Sequence, residues 1–432
     1  MFWQQEMETL GRDELNALQL ERLRTTIERA ARSPFYKHRL AKAGVGASDI
    51  TSLDDLRRIP FTTKQDLRDS YPHGMLAAPL EQVVRLHGSS GTTGQSTVIF
   101  HTQRDLDTWT DLVARGLVMA GGGPADVFQN MMSYGLFTGG LGLHYGAERI
   151  GMLVIPAGSG NTRRQITLMK DFGTTVIHIT PSYALHVSTA FAVHEVDPRS
   201  LKLRIGVFGA EPYSEETRQK LERLLHLDGY NCYGLSEMNG PAVAFECSKK
   251  NGLHVWEDSF IVEVIDSDTT EPVEEGGEGE LVFTTINREA MPILRYRTRD
   301  RSAIVPGPCA CGRHHRRIRA IVGRTDDMLI LGGVNVFPSQ VEAVLMRIPE
   351  VGTNYQIVLD RVGELDRMTV RVELSSKSFH GDIKELRAIS GRVTHELRDE
   401  LVINPTVELL EPDTLEPSMG KAVRVVDNRE KR

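Results

Sequence analysis

The residues best suited to chemistry form one short polar segment, Ser89-Ser90-Gly91-Thr92-Thr93-Gly94. The backbone N–H groups of such a loop can form a concave anion site, and the hydroxyls add rotatable donors. Strand-like runs flank the segment, at 83–87 before it and at 97–100 after it. We therefore predict a β-hairpin whose loop grips a phosphate group. A flexible surface turn rich in Ser and Gly is the alternative interpretation.

This segment differs from the P-loop, which needs a lysine after its last glycine and a helix after that. Here Gln95 follows Gly94, and no lysine is nearby. Any positive charge for phosphoryl chemistry must therefore come from another part of the chain.

Three polar sites follow at long intervals. Glu237 lies in a loop after a predicted strand and could hold Mg²⁺, which takes oxygen ligands; a solvated loop residue is the alternative. Asp300 could accept hydrogen bonds from two ribose hydroxyls, unless it lies on a charged strand edge. Lys421, on a turn that contains glycine, could supply the missing mobile charge, although an isolated lysine near a terminus is usually a surface residue.

The order and spacing of these sites resemble those of the adenylate-forming enzymes, the superfamily of acyl-CoA synthetases, peptide-synthetase adenylation domains and luciferases. The resemblance is closest to the phenylacetate–CoA ligase branch, and it covers essentially the whole chain. The segments that carry it are 90–94, 134–140, 233–237, 292–300, 323–327 and 420–422.

The resemblance implies a two-step reaction that uses ATP, Mg²⁺ and coenzyme A. A carboxylate attacks the α-phosphate to give an acyl-adenylate and pyrophosphate, and the thiolate of coenzyme A then displaces AMP. The hydroxyl segment would cradle the β- and γ-phosphates. The other implied roles are Mg²⁺ binding by Glu237, ribose binding by Asp300, adenine stacking on Tyr233 with Gly234 beside Gly209, Ala210 and Glu211, ribose or phosphate contact by Arg324, and charge neutralisation at the α-phosphate by Lys421.

The same resemblance implies that the lysine lies on a C-terminal domain that rotates between the two steps. Asp326 aligns with the pivot of that rotation. After the rotation, Gly332 and Gly333 would line the tunnel for the thiol, where a Cβ would block pantetheine; a strand-end turn is the alternative for this pair. We predict a domain boundary between residues 325 and 326.

The segment from Tyr134 to Gly140 corresponds to the acid-binding wall of the family, with Phe137 packed on the acyl group and Gly139 beside it. Met132 stands where the branch usually has an aromatic ring, and methionine fills irregular gaps. Phenylacetate, another aryl acid and a medium aliphatic acid therefore all remain open. His144 and Tyr145 are either core residues or substrate contacts.

The cysteines suggest a metal site. Cys247 and His254 are seven residues apart, and Cys309 and Cys311 flank Ala310. Three cysteines and one histidine are a known tetrahedral zinc set, and four protein ligands imply a structural role. Ordinary small buried residues are the alternative. Cys232 is predicted to be core, and His314 and His315 lie in a basic run that either meets coenzyme A phosphates or forms a solvated face.

The elements that must position these residues alternate between strand and helix. Residues 12–31 have the apolar spacing of a helix, 175–179 and 203–209 read as strands, and 215–225 reads as a helix. We predict an α/β fold, a large N-terminal domain with a mostly parallel sheet between helices and a small α+β C-terminal domain of residues 326–432. Its elements would be strands at 354–359, 368–374 and 406–410 and a long helix from Ile383 to Leu401.

Composition narrows the class of protein. The chain has 432 residues with a net charge of −7, so nucleic-acid binding is not expected. No apolar run approaches the length needed to span a bilayer, so a membrane span is not expected either. Four cysteines do not suggest a disulfide scaffold, and a cytoplasmic location is the default. The partner is predicted to be a small carboxylic acid, and the resemblance allows a homodimer. The alternatives are an enzyme that hands the acyl group to a carrier protein and a nucleotide-binding regulator without turnover.

Overall fold

The computed structural model describes residues 1–88, 97–331, 334–362, 365–376, 378–379, 382–416 and 422–429. The hydroxyl segment 89–94, the pair Gly332 and Gly333, and Lys421 lie outside the described residues. The roles predicted for them therefore remain predictions.

Helices account for much of the N-terminal part and return near the C-terminus. They are α1 Gln5–Glu8, α2 Arg12–Ala30, α3 Pro34–Ala43, α4 Lys64–Asp69, α5 Gln103–Met119, α6 Thr138–Arg149, α7 Thr162–Phe172, α8 Pro181–Val193, α9 Glu215–Leu225, α10 Pro338–Arg347 and α11 Ile383–Leu401.

The strands of the N-terminal part are β1 Val83–Gly88, β2 Val98–Thr102, β3 Val127–Asn130, β4 Leu153–Ile155, β5 Val176–Ile179, β6 Ile205–Gly209, β7 Asp228–Leu235, β8 Gly240–Glu246, β9 Leu253–Val255, β10 Phe260–Ile265, β11 Gly279–Thr285, β12 Tyr296–Ser302, β13 Ile304–Val305, β14 Arg317–Ile318 and β15 Gly323–Arg324. Those of the C-terminal part are β16 Leu329–Leu331, β17 Val334–Val336, β18 Val351–Val362, β19 Leu365–Leu374, β20 Thr406–Leu410 and β21 Val425–Asp427.

The largest sheet has the strand order β13-β14-β9-β8-β7-β6-β5-β3-β4. Its strands from β4 to β7 pair in parallel, and those from β7 to β13 pair antiparallel. Successive strand residues face different cores: Val176 and Val207 pack with α5 and α6, whereas Ile177 and Phe208 pack with α8 and α9. The predicted sheet between two helical layers is therefore confirmed, with an antiparallel half that the sequence did not indicate.

A second sheet brings polar side chains towards the ends of this one. It is antiparallel, with the order β10-β11-β12-β15, and β12 carries Asp300 opposite Arg324 of β15. The predicted hairpin around the hydroxyl segment is also present, because β1 and β2 pair antiparallel with Gly88 opposite Val98.

Local sequence explains where the predicted helices begin. The hydroxyl of Ser214 accepts a hydrogen bond from the N–H of Thr217 at 3.1 Å and so caps α9. At α2, Glu14 reaches back to accept the N–H of Gly11 at 3.1 Å. The observed bounds agree with the predicted segments 12–31 and 215–225 to within one residue.

The C-terminal unit is a four-stranded sheet of order β20-β19-β18-β21 with α10 and α11 packed on it. The predicted strands and long helix are present, and β21 is an additional strand that the sequence prediction missed. Apolar side chains of α9 and α10 share one core cluster, so this unit is docked on the N-terminal part. Among the described residues, no helix is both long and apolar enough to cross a membrane.

Candidate active site

A cavity of about 180 Å³ lies at the carboxyl end of the parallel strands. Its walls include the segment that follows β6, the end of β7, and Asp300 and Arg324 from the second sheet. In open α/β sheets, ligands bind at such strand ends. The sequence suggested that Tyr233 and Gly234 lie in a loop after a strand. In the structure, both residues lie inside β7.

Asp300 is the buried carboxylate of this cavity. The Tyr233 hydroxyl donates a hydrogen bond to Asp300 Oδ2 at 2.6 Å, and Arg324 donates to Oδ1 at 3.3 Å. Only 6% of Asp300 is exposed, and its burial raises the pKa of the carboxyl to about 6 against the opposing effect of Arg324. Asp300 is therefore not a solvated strand edge, and a negative charge is held here at a cost.

Arg324 connects this carboxylate to the predicted pivot. Its Nε and one terminal nitrogen donate to the two carboxylate oxygens of Asp326, each at 2.8 Å. The planar guanidinium thus contacts Asp300 and Asp326 together. The strand that carries Asp300 and the predicted domain junction are thus joined through one side chain.

Two glycines at this cavity are explained by close backbone approaches. A Cβ on Gly209 would lie 2.4 Å from the carbonyl oxygen of Cys232, and one on Gly234 would lie 2.0 Å from that of Gly240. Ala210 follows with a φ of +71°, in the left-handed region that is strained for an alanine. This turn directs the backbone after β6 along the cavity wall.

Glu211 was predicted to lie beside adenine, and it does line the cavity. Its carboxylate, however, is held by backbone donors: Oε1 accepts from the N–H of Ser182 at 2.7 Å, and Oε2 accepts from the N–H of Ala422 at 2.9 Å. Ala422 directly follows Lys421. The contact therefore brings Ala422 to the rim of the cavity.

Glu237 lies in a short 3₁₀ turn after β7 and is buried. The Tyr296 hydroxyl donates to its Oε1 at 3.2 Å, and Arg288 donates to its backbone carbonyl at 2.7 Å. Burial lowers the pKa of Arg288 to about 10. No motif in the sequence indicated Arg288. Tyr296 belongs to segment 292–300, but nothing in the sequence indicated its contact with Glu237.

The predicted acid wall follows β3 and enters α6. Asn130 donates to the Tyr134 hydroxyl at 2.9 Å, and His144 Nδ1 lies 3.1 Å from the same oxygen. Phe137 precedes α6, and a Cβ on Gly139 would lie 2.3 Å from its ring. Met132 is buried directly before this wall.

Two aromatic neighbours of the wall, His144 and Tyr145, were left open between core residues and substrate contacts, and both are half-buried. His144 positions Tyr134 and also pairs with Glu148 at 3.0 Å, so it supports the wall from behind. The ring of Tyr145 lies under the guanidinium of Arg85, 4.7 Å from ring centre to Cζ. His144 therefore contacts the wall directly, whereas Tyr145 packs on Arg85.

The strand that leads into the hydroxyl segment is fastened to the acid wall. The carbonyl of Leu136 accepts the N–H of Gly88 at 2.9 Å, and His87 Nδ1 lies 3.0 Å from the same oxygen. Because a carbonyl oxygen can only accept, Nδ1 carries the hydrogen and is the donor. Burial lowers the pKa of His87. Two adjacent residues of β1 thus hold one carbonyl of the wall.

The predicted metal ligands come together at the far end of the large sheet. The ligand atoms of Cys247, His254, Cys309 and Cys311 all lie within 4.8 Å of one another. His254 Nδ1 faces the backbone carbonyl of His315 at 3.2 Å, which leaves Nε2 directed towards the cysteines. Such a second hydrogen bond is typical of histidines that bind metals.

The basic run 313–317 is only partly exposed, so it is not a continuous solvated face or a continuous surface for phosphates. Arg313 is buried and donates to the Glu8 carboxylate at 2.6 Å. His315 is buried and lies 3.0 Å from the carbonyl of Met7, whereas His314 is exposed. Cys232 lies in the apolar core, as predicted.

Comparison with known proteins agrees with this geometry. Residues 30–287 match the family described as AMP-binding enzyme, and residues 333–429 match the AMP-binding enzyme C-terminal domain. The chain is 46% identical over 425 residues to a phenylacetate-coenzyme A ligase of Pseudomonas putida, covering 98% of this chain and 96% of that protein. A phenylacetate-coenzyme A ligase of Thermus thermophilus is 47% identical over 444 residues, with coverages of 99% and 100%.

Solved structures of one 2-hydroxyisobutyryl-CoA ligase resemble the chain to different degrees. The structure with 2-HIB-AMP in the postadenylation state has a TM-score of 0.94 at 27% identity, covering 98% of this chain and 92% of that one. The thioesterification state with coenzyme A scores 0.74 at 28% identity, with coverages of 99% and 93%. The chain as a whole is therefore more similar in structure to the postadenylation state than to the thioesterification state.

Proposed function

Because the chain belongs to the AMP-binding enzyme family, we propose that it joins phenylacetate or a related aryl acid to coenzyme A. Its reaction class is that of an ATP-dependent acid–CoA ligase that forms an acyl-adenylate and then a thioester. ATP and coenzyme A are its cosubstrates. The choice of acid is the part that is proposed.

The wall from Tyr134 to Gly140 carries the proposal. The Tyr134 ring is fixed by Asn130 and His144, and Phe137 stands at the start of α6, so a flat aromatic side chain would meet aromatic surfaces. Met132 adds a buried flexible side chain that can adjust to ring substituents. This combination favours an aryl acid over a short aliphatic one.

In the first step, the acid carboxylate attacks the α-phosphorus and pyrophosphate leaves; in the second, the thiolate of coenzyme A attacks the acyl carbon and AMP leaves. We propose that Asp300 holds the ribose hydroxyls while Tyr233, with Gly234, Gly209 and Ala210, forms the adenine wall. Arg324 would contact the ribose or a phosphate. Segment 89–94 would cradle the β- and γ-phosphates.

Lys421 is proposed to neutralise the charge that builds on the α-phosphate oxygens. Charge placed in advance where it develops is often the largest catalytic contribution, about 3–4 kcal/mol for one donor. The bond from the Ala422 N–H to Glu211, on the cavity wall, supports this role. Glu237 is the proposed Mg²⁺ ligand, and the ion would supply positive charge to the phosphate oxygens.

We further propose that Cys247, His254, Cys309 and Cys311 hold a structural zinc ion. Three sulfurs and one imidazole nitrogen match the tetrahedral preference of zinc, and four protein ligands leave no open position. The carbonyl of His315 on His254 Nδ1 supports the assignment, because it orients Nε2 towards the cysteines.

The C-terminal residues 326–432, called the tail domain below, are proposed to rotate about Asp326 between the two steps. The rotation would remove Lys421 and bring Gly332 and Gly333 to the pantetheine path. The likeness to one ligase that has been solved in two states supports this proposal.

An acid panel tests the proposed substrate. Phenylacetate, 4-hydroxyphenylacetate, benzoate, hexanoate and 2-hydroxyisobutyrate are supplied with ATP, Mg²⁺ and coenzyme A, and AMP production is measured. We expect kcat/KM for the arylacetates to exceed that for hexanoate at least tenfold. Preference for an aliphatic acid would contradict the aryl assignment. Replacing coenzyme A by a phosphopantetheinyl carrier protein separates the two acceptors.

A further inference from the structure

The contact between α9 of the N-terminal part and α10 of the tail domain contains charged groups to which no function has been given. Three apolar side chains, Leu221, Val341 and Leu345, are fully buried in the shared core at this contact. A polar group stands at either end of it. Glu342 of α10 lies at the start of α9, and Lys220 of α9 lies at the start of β18.

At the first end, Glu342 completes the N-terminal cap of α9. Its Oε1 accepts the N–H of Ser214, the capping residue, at 3.1 Å, and also the hydroxyl of Thr217. In an ordinary capping box, an acidic or amide side chain three residues into the helix accepts that N–H. In α9 that position is Thr217, which has neither a carboxylate nor an amide group. The carboxylate comes instead from Glu342 of the tail domain.

The geometry of Glu342 is fixed from behind. The Tyr355 hydroxyl donates to its Oε2 at 3.0 Å, and Tyr355 is itself buried. A carboxylate at a helix N-terminus is also favoured by the partial positive charge there. The cap is therefore preorganised in the tail domain before it meets α9.

At the second end, the Lys220 ammonium donates to the carbonyls of Val351 and Gly352 at 3.1 and 2.7 Å, with the sulfur of Met346 at 3.7 Å. These acceptors are neutral, and burial lowers the pKa of Lys220 to about 8. The two carbonyls thus replace the water that the ammonium loses when the tail domain docks.

We propose that Glu342 and Lys220 form a two-ended clamp that holds the tail domain in the arrangement for adenylate formation. They are positioning residues, because they would act through the placement of the tail domain and do not touch the reacting atoms. Both sets of bonds cross between the two parts of the chain, so both must break when the tail domain rotates for thioester formation. The inference rests on that proposed rotation.

The test measures the two half-reactions separately in the full-length enzyme. Acid-dependent exchange between ATP and labelled pyrophosphate reports adenylate formation, and synthetic acyl-adenylate with coenzyme A reports thioester formation. Lys220→Met and Glu342→Ala should each lower the exchange rate about tenfold or more, since each removes a hydrogen-bonded charge. Thioester formation should stay within twofold of the wild type or rise.

The matched control is Glu216→Gln. Glu216 is on the same helix and faces Arg347 of the tail domain at 3.9 Å, but that pair is partly exposed. Exposed pairs contribute little, so both half-reactions should remain within twofold. Glu342→Gln, which keeps one acceptor oxygen, should restore part of the exchange lost in Glu342→Ala and provides the result if the alanine variant does not fold.

A purely structural role would lower both half-reactions in the same proportion, and that result would overturn the clamp. Exchange within twofold of the wild type in both Lys220→Met and Glu342→Ala would overturn it as well. A wild-type enzyme that exchanges only with aliphatic acids would refute the proposed aryl substrate while leaving the clamp testable with those acids.

Discussion

Replacing Asp300 by asparagine should stabilise the free protein while weakening its hold on the nucleoside. The carboxyl has an ordinary pKa of 3.8, which burial raises to about 6. At 1.36 kcal/mol for each pH unit, holding the charge costs about 3 kcal/mol at neutral pH. Asp300→Asn removes that cost, so the urea midpoint and Tm at pH 7.5 should rise.

The sign can be checked with pH. A group whose pKa is raised in the folded state adds stability below its unfolded pKa and loses it as pH rises through the folded value. Between pH 7.5 and pH 5, Asp300 becomes mostly protonated in the folded wild type, which gains about 1.4 kcal/mol. The difference in the free energy of unfolding between Asp300→Asn and the wild type should therefore be about half as large at pH 5 as at pH 7.5.

Binding should move in the opposite direction. Adenosine serves as the ligand because its phosphate-free structure has no group that titrates between pH 5 and pH 7. Loss of a charged acceptor for ribose should weaken binding by about 1.5–3 kcal/mol, which is roughly 10- to 100-fold. Wild-type affinity should fall about tenfold from pH 7 to pH 5, whereas that of Asp300→Asn should be flat.

Calorimetric titration and thermal melts of the same samples provide both measurements. The control is Asp268→Asn, a change at an exposed carboxylate in the turn between β10 and β11, which should alter neither. A variant that is less stable than the wild type at pH 7.5, or that binds adenosine equally well, would refute the link between the buried charge and ribose recognition.

Three further outcomes are expected. Lys421→Ala should abolish pyrophosphate exchange but leave thioester formation from supplied acyl-adenylate largely intact; equal loss of both steps would contradict its role. Protein purified without a histidine tag should contain about one zinc per chain by elemental analysis, and Cys309→Ser should lower this content; less than about half a zinc in the wild type would count against the site. Gly139→Ala should displace the Phe137 ring, because the added Cβ would lie 2.3 Å from it, and raise KM for the aryl acid several-fold without changing KM for ATP. Gly123→Ala, where nothing lies within 4 Å of the added carbon, is the control, and an equal change in both variants would contradict the wall assignment.

Local sequence patterns were sufficient to predict the helices and the hairpin whose formation depends on neighbouring residues in the chain. The apolar spacing in 12–31 and 215–225 predicted α2 and α9 because caps and amphipathic faces are written within a few residues. The hairpin around the hydroxyl segment was predictable for the same reason. The short strand β21 was missed, since its place depends on pairing with β18, more than sixty residues earlier in the chain.

Contacts between distant segments explain the remaining differences. The burial of Arg313 depends on the Glu8 carboxylate about three hundred residues away, so a run of basic residues looked like a surface. The antiparallel half of the large sheet could not be predicted because apolar runs such as β8 carry no direction. The grouping of the four zinc-ligand candidates was anticipated because their chemistry, not their spacing alone, pointed to one centre.

The shared anchor at Leu136 has a consequence for how the two substrates bind. Because Gly88 and His87 hold one carbonyl of the acid wall, ATP bound at the proposed phosphate site would be coupled to the wall through that carbonyl. Thermodynamic reciprocity then requires that the acid favour ATP by the same factor by which ATP favours the acid. An affinity measured for one substrate alone would then differ from the affinity that operates during turnover.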